Sequence, residues 1–136
     1  MSDFGKLLTA VITPFDKNGV LNTDTLWRLC KKLVHEKSDG LVLSGTTGES
    51  PNLTKEDRKI IYSTAKDSVG DKAKIIAGTG TYSTKESIEY TKMANDIGVD
   101  GIMIVTPYYS KPSQFGILKH FEEVSKNTDL PIMAYN

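Results

Sequence analysis

The sequence predicts an α/β fold in which about five parallel strands alternate with four helices. Short apolar or β-branched runs recur at a spacing of roughly thirty residues, which is the length of one strand-plus-helix unit. The runs begin near Leu7, Gly40, Lys74, Gly101 and Pro131. They are continuously apolar, as is typical of parallel strands buried on both faces. The second and fourth runs both begin with Asp-Gly, which is expected if one unit recurs.

Four helical segments separate these runs. The first carries its apolar residues on one stripe that includes Cys30, so this cysteine is interpreted as a core thiol. The second begins with Thr54 and Asp57 at the spacing of a capping box, and Ser83 begins the third in the same way. The fourth helix is predicted over residues 112–126, followed by a turn into the last strand.

Composition limits the possible functions. The chain has 136 residues with 17 basic and 17 acidic side chains, so we expect neither nucleic acid nor a membrane surface as a partner. Residues 1–136 are predicted to form one domain, without a second domain or linker. The single cysteine and the lack of a leader at the start predict a cytoplasmic location. Two histidines and one cysteine lie in unrelated segments, so no metal site is predicted.

Polar residues follow the predicted strands, and the carboxyl ends of parallel strands meet at one edge. Residues 45–50, Gly-Thr-Thr-Gly-Glu-Ser, offer two glycines for a tight turn, exposed N–H groups and two hydroxyls. This pattern predicts a cradle for a small anion such as a carboxylate. The alternative is a connection whose hydroxyls only cap the next helix. Residues 78–80, Gly-Thr-Gly, are interpreted as a close-packing turn rather than a phosphate loop.

Two tyrosines belong to the same edge. Tyr109 follows the fourth strand and Tyr135 ends the fifth. They either pack there or join a threonine hydroxyl in a three-hydroxyl proton wire, and composition leaves both alternatives open.

Three segments resemble one protein family in order and spacing. They are Gly45-Thr46-Thr47-Gly48-Glu49-Ser50, Thr106-Pro107-Tyr108-Tyr109-Ser110-Lys111-Pro112 and Tyr135-Asn136. They resemble the dihydrodipicolinate synthase family, in the sialic-acid-lyase group of pyruvate-dependent class I aldolases. The resemblance implies that the chain is the amino-terminal part of a TIM (β/α)8 barrel. It further implies condensation of pyruvate with aspartate semialdehyde through a Schiff base, in lysine biosynthesis, with no metal or organic cofactor.

The resemblance also implies a role for each site residue. Thr46 and Thr47 would bind the carboxylate of pyruvate, and Thr46 would link two tyrosine hydroxyls into a proton relay. Tyr135 would exchange protons with the substrate. Tyr109 would be contributed by a neighbouring subunit, which implies a homo-oligomer.

The family's Schiff-base lysine lies on the strand after the one matched by Tyr135, and the sequence ends at Asn136. Lys6 and Lys74 begin strands at the opposite edge, and Lys111 lies in a loop where an ammonium stays hydrated. We therefore expect the isolated chain to be inactive. The alternative function is that of a catalytically silent half-barrel, acting only as a structural or complementation fragment.

The resemblance also implies the position of a regulatory pocket. Lysine-inhibited members of the family bind lysine at the dimer interface. The matching residues here are Ser50, Glu86 and Tyr108. Lys55, Arg58 and Tyr82 stand where those members have histidines and an asparagine. Cationic side chains would repel the ammonium of the ligand, so we predict no specific lysine binding.

Overall fold

The computed structural model describes residues 4–136, which form one parallel sheet with helices between successive strands. The strands are β1 (Leu8–Ala10), β2 (Gly40–Leu43), β3 (Lys74–Gly78), β4 (Gly101–Val105) and β5 (Ile132–Tyr135). The helices are α1 (Thr23–His35), α2 (Lys55–Val69), α3 (Thr84–Ile97) and α4 (Gln114–Ser125). Single 3-10 turns cover Ser50–Asn52 and Gly70–Lys72.

The sheet has the order β1-β2-β3-β4-β5, and every neighbouring pair is parallel. The predicted class, five parallel strands with four helices in alternation, is confirmed. The predicted strand starts lie within one residue of those observed. Helix α4 begins two residues later than predicted because Ser113 is its N-cap, with a side chain that accepts a hydrogen bond from the N–H of Gly116.

Burial separates the central strands from the edge strands. Every residue of β2 is buried, as is every residue of β3 after Lys74. In contrast, β1 and β5 have only intermediate or exposed positions. The expectation that all five runs are buried on both faces is therefore wrong for these two strands. Each has a sheet neighbour on one side only, so less of its surface is covered.

The predicted caps and core thiol are confirmed. Thr54 and Asp57 form a reciprocal capping box at the start of α2. The Ser83 side chain accepts a hydrogen bond from the N–H of Glu86 at the start of α3. Cys30 is fully buried, and this burial raises the pKa of its thiol to about 11, so the thiol is protonated and unreactive at neutral pH.

The repeated Asp-Gly pair has a structural role at the amino ends of the strands. The carboxylate of Asp39 accepts hydrogen bonds from the N–H groups of Lys6 and Leu7, at 2.7 and 2.8 Å. Asp100 accepts from the N–H of Ile75 at 2.9 Å. Each aspartate thus secures the start of the preceding strand, at the edge opposite the predicted site.

Candidate functional site

A cavity of about 170 Å³ opens at the carboxyl ends of the strands. Its wall includes Ser44, Thr46, Ser50, Gly78, Met103 and Tyr135. These residues come from the turn after β2, from the end of β3, and from β4 and β5. The cavity therefore lies at the edge where the sequence places its polar segments.

The turn at residues 45–50 leaves three backbone N–H groups, those of Gly45, Thr46 and Thr47, without a protein acceptor among the described residues. The N–H groups of Gly48, Glu49 and Ser50 bond within the turn, at 3.1, 3.1 and 3.2 Å. Within residues 4–136, the N–H groups of Thr46 and Thr47 have no protein acceptor, and both residues are exposed. The available donors thus include those of both residues predicted to bind a carboxylate.

The glycines of this turn act differently from the prediction. Left-handed backbone occurs at Ser44 (φ 53°) and Glu49 (φ 57°) instead of at the glycines. Gly48 provides space, because a Cβ there would lie 3.0 Å from the carbonyl oxygen of Val11. The alternative that the threonine hydroxyls cap the next helix does not hold, since Thr54 caps α2.

The Gly-Thr-Gly segment after β3 is the close-packing turn that the sequence predicts. A Cβ on Gly78 would lie 2.4 Å from the carbonyl oxygen of Ser44. A Cβ on Gly80 would lie 2.4 Å from the backbone nitrogen of Val105. Thr79 is fully buried between these glycines, and its hydroxyl accepts a hydrogen bond from Thr91 at 3.0 Å. Backbone from three strands therefore meets closely beside the cavity.

The predicted proton-transfer residues are only partly brought together. Thr46 and Tyr135 line the same cavity, and Tyr135 is 43% exposed. Tyr109 is 96% exposed and is not part of the cavity wall, and Thr47 lies beside the cavity in the turn. Within residues 4–136, no hydrogen bond joins the hydroxyls of Thr46, Tyr109 and Tyr135. The proton wire stays a prediction.

The other candidate groups stand apart from the cavity. Lys111 is exposed on the loop before α4, and Lys74 pairs with Asp100 at the opposite edge of the sheet. In the part of the chain that the structure describes, no three side chains of His, Cys, Asp or Glu converge to hold a metal ion. Among residues 4–136, no helix is long and apolar enough to cross a membrane.

Arg58 is a site residue that the sequence reasoning assigned to the regulatory pocket. In the structure its side chain is buried, and it donates hydrogen bonds to the backbone of Ser50 and Gly78 in the cavity wall. The phenol of Tyr62 donates to the same Gly78 carbonyl at 3.0 Å. A signal was present: Arg58, Ile61, Tyr62 and Ala65 share one helical stripe of α2, which places this arginine among core residues.

Three other residues of the predicted regulatory pocket, Lys55, Tyr82 and Tyr108, are exposed. The rings of Tyr82 and Tyr108 meet edge to face, with centroids 5.6 Å apart. Lys55 lies 3.9 Å from the carboxylate of Glu89.

Comparison with known proteins decides the family. The sequence profile of the dihydrodipicolinate synthetase family matches residues 3–136. The chain belongs to this family. It is 52% identical over 134 residues to the 4-hydroxy-tetrahydrodipicolinate synthase of Desulforudis audaxviator, covering 98% of this chain and 46% of that relative. The chain thus spans about half the length of the curated relatives that it matches.

Solved structures agree with this assignment. The dihydrodipicolinate synthase of Bacillus anthracis superposes with a TM-score of 0.97 at 43% identity, over 100% of this chain and 47% of that one. The chloride-inhibited enzyme of Acinetobacter baumannii, complexed with pyruvate, gives 0.95 at 34% identity, over 98% and 46%. The five strands and four helices described above therefore correspond to part of the TIM barrel of these enzymes, as the resemblance implies.

Proposed function

We propose that this chain forms the pyruvate-binding part of a dihydrodipicolinate-synthase-type aldolase. The observation that carries the proposal is the pair of available N–H donors at Thr46 and Thr47 beside the cavity. Two adjacent amide donors suit the two oxygens of a carboxylate. Met103 and Val105 give the cavity an apolar side that suits the methyl group of a small 2-oxo acid.

Proton transfer would involve hydroxyls from two copies of the chain. Tyr135 and Thr46 already share the cavity, whereas Tyr109 is too exposed to serve the cavity of its own chain. Its position suits donation to the cavity of a second copy, so the proposal includes a homo-oligomer. Light scattering should show a particle larger than the 15.0 kDa monomer, and a monodisperse monomer would contradict this part.

Carbon–carbon bond formation would need a lysine from outside these residues. In the proposed reaction, that lysine forms a protonated imine with pyruvate and releases water, and loss of a methyl proton then gives an enamine. The enamine carbon attacks the aldehyde carbon of aspartate semialdehyde, whose oxygen takes up a proton to become a hydroxyl. The imine nitrogen accepts the electron pair during proton loss, so the chemistry needs no metal or organic cofactor. The activity proposed is thus that of a longer or complemented cytoplasmic protein in lysine biosynthesis.

A second candidate function is that of a catalytically silent half-barrel fragment. It is favoured by the partly exposed edge strands β1 and β5. In this alternative, the chain would have only a structural or complementation role.

Two experiments test the proposed function. Titration with pyruvate, followed by amide NMR, should shift the signals of Thr46 and Thr47, whereas uncharged pyruvamide should not. Failure of pyruvate to shift them would overturn the proposal.

Reduction with borohydride tests where the lysine comes from. Pyruvate and borohydride should leave the mass of this chain unchanged. Mixing with the carboxyl-terminal half of the Desulforudis audaxviator relative should produce a reduced adduct on that half. An adduct on any lysine of this chain would contradict the proposed division of roles, and no adduct in the mixture would favour the silent fragment.

A further inference from the structure

Arg58 joins two walls of the candidate site from inside the molecule. Its Nη1 donates a hydrogen bond to the carbonyl oxygen of Gly78 at 2.8 Å. Its Nη2 donates to the carbonyl oxygen of Ser50 at 2.7 Å and to the Ser50 hydroxyl at 2.8 Å. Ser50 ends the turn at residues 45–50, and Gly78 ends β3. One guanidinium therefore connects the turn to the neighbouring strand.

The guanidinium is buried and forms no direct ion pair with the residues that the structure describes. Arg58 is only 2% exposed, and none of the ion pairs formed within residues 4–136 includes it. The ring of Tyr90, 4.5 Å from the guanidinium carbon, gives a cation–π contact but no negative charge. Burying an unpaired charge is unfavourable, and an apolar side chain of similar length would fill the space at lower cost. An apolar side chain would lack the N–H donors that the planar guanidinium, here called the arginine fork, holds in a fixed arrangement.

The carbonyl oxygens of Gly78 and Ser50 are the two backbone acceptors that the guanidinium satisfies. The Gly78 carbonyl lies at the end of β3 and also receives the Tyr62 phenol. Ser50 accepts through both oxygens, while its own N–H bonds back to the Gly45 carbonyl at 3.2 Å and closes the turn. The arginine fork thus fixes the closing residue of the turn relative to the end of β3.

We propose that Arg58 is a positioning residue for the carboxylate-binding turn. By holding Ser50 against β3, it keeps the turn that carries the N–H groups of Thr46 and Thr47 in place beside the cavity. It acts through the turn and does not contact the ligand. The proposal rests on the proposed function of this turn, but the position of the turn is measurable without any ligand.

Amide hydrogen exchange of the ligand-free chain tests the positioning. Arg58→Met removes the fork and the charge, and Arg58→Lys keeps the charge but cannot reach both walls. The hydrogen-bonded N–H groups of the turn are those of Gly48, Glu49 and Ser50, so exchange at these three residues should accelerate at least about tenfold in both variants. Exchange in α1 and α4 should change far less. Arg28→Met, at the exposed arginine that pairs with Asp24, is the matched control.

The outcomes separate positioning from a general structural role. Uniform acceleration throughout the chain would overturn the proposal, because it would show a loss of overall stability. Full protection in Arg58→Lys would also overturn it, because charge alone would then suffice. If Arg58→Met does not fold, Ser50→Ala removes one acceptor of the fork and should give a smaller acceleration confined to the same residues. No change in Ser50→Ala would count against the proposal.

Pyruvate affinity connects the positioning to the site. The dissociation constant should rise about tenfold in both Arg58 variants and stay unchanged in Arg28→Met. Unchanged affinity in a folded Arg58→Met would overturn the link between the fork and the turn. If the unmodified chain binds no pyruvate, the proposed function fails, while the exchange pattern still decides whether Arg58 positions the turn.

Discussion

Replacement of Gly78 by alanine should disrupt the close backbone packing between the end of β3 and the end of β2 beside the candidate site. A Cβ at this position would lie 2.4 Å from the carbonyl oxygen of Ser44 and 2.8 Å from that of Leu43. Both atoms belong to backbone that is held by the sheet, and Leu43 is paired with Ala77 in the parallel register. A flexible side chain could move away, but these atoms move only if the strands separate.

The size of the effect follows from the contact distances. The shortest contact is about 1 Å below ordinary van der Waals distance, so the ends of the two strands must separate by a similar amount. Loss of about two ladder hydrogen bonds, at roughly 1 kcal/mol each, adds to overpacking strain of about 1–3 kcal/mol. We therefore expect the free energy of unfolding to fall by roughly 3–5 kcal/mol, out of the 5–15 kcal/mol typical of a domain.

Urea denaturation followed by circular dichroism measures this loss. Gly45→Ala is the matched control, because its Cβ would meet only the flexible end of Met103, at 3.1 Å. This control should change the free energy of unfolding by less than about 1 kcal/mol. A similar denaturation midpoint for Gly78→Ala and Gly45→Ala would refute the argument that backbone contact at Gly78 excludes a side chain.

Two further predictions concern pH and regulation. Burial lowers the pKa of His120, whose Nδ1 lies 2.9 Å from the Thr84 hydroxyl, so below about pH 6.5 the unfolded chain binds more protons than the folded one. Urea titrations should therefore show stability falling as pH drops through this value, and His120→Gln should reduce this dependence; an unchanged dependence in His120→Gln would refute the prediction. Calorimetry with L-lysine should show no saturable binding, because the regulatory pocket that the resemblance implies would contain the cationic Lys55 and the packed rings of Tyr82 and Tyr108. Millimolar or tighter binding would refute this second prediction.

Much of the fold could be predicted because its signals are local. Strand starts were found within one residue, since apolar runs and their flanking turns lie in continuous sequence. The caps at Thr54 and Ser83 were equally visible, because each joins residues three positions apart. The position of the site followed from topology, since parallel strands bring their carboxyl ends to one edge. Helix α4 starts later than the sequence predicts because Ser113, which follows Pro112, is the N-cap that accepts a hydrogen bond from the first turn.

The sequence by itself thus determined the alternating architecture and the edge of the sheet at which the cavity opens, and it pointed to the two threonines of the candidate site. Only the tertiary structure decided how the turn at residues 45–50 is held. It placed left-handed backbone at Ser44 and Glu49, and it directed Arg58 inward to Ser50 and Gly78. The physical reason is range: periodicity and capping depend on neighbours along the chain, whereas a buried donor finds its acceptors only where separate elements pack together.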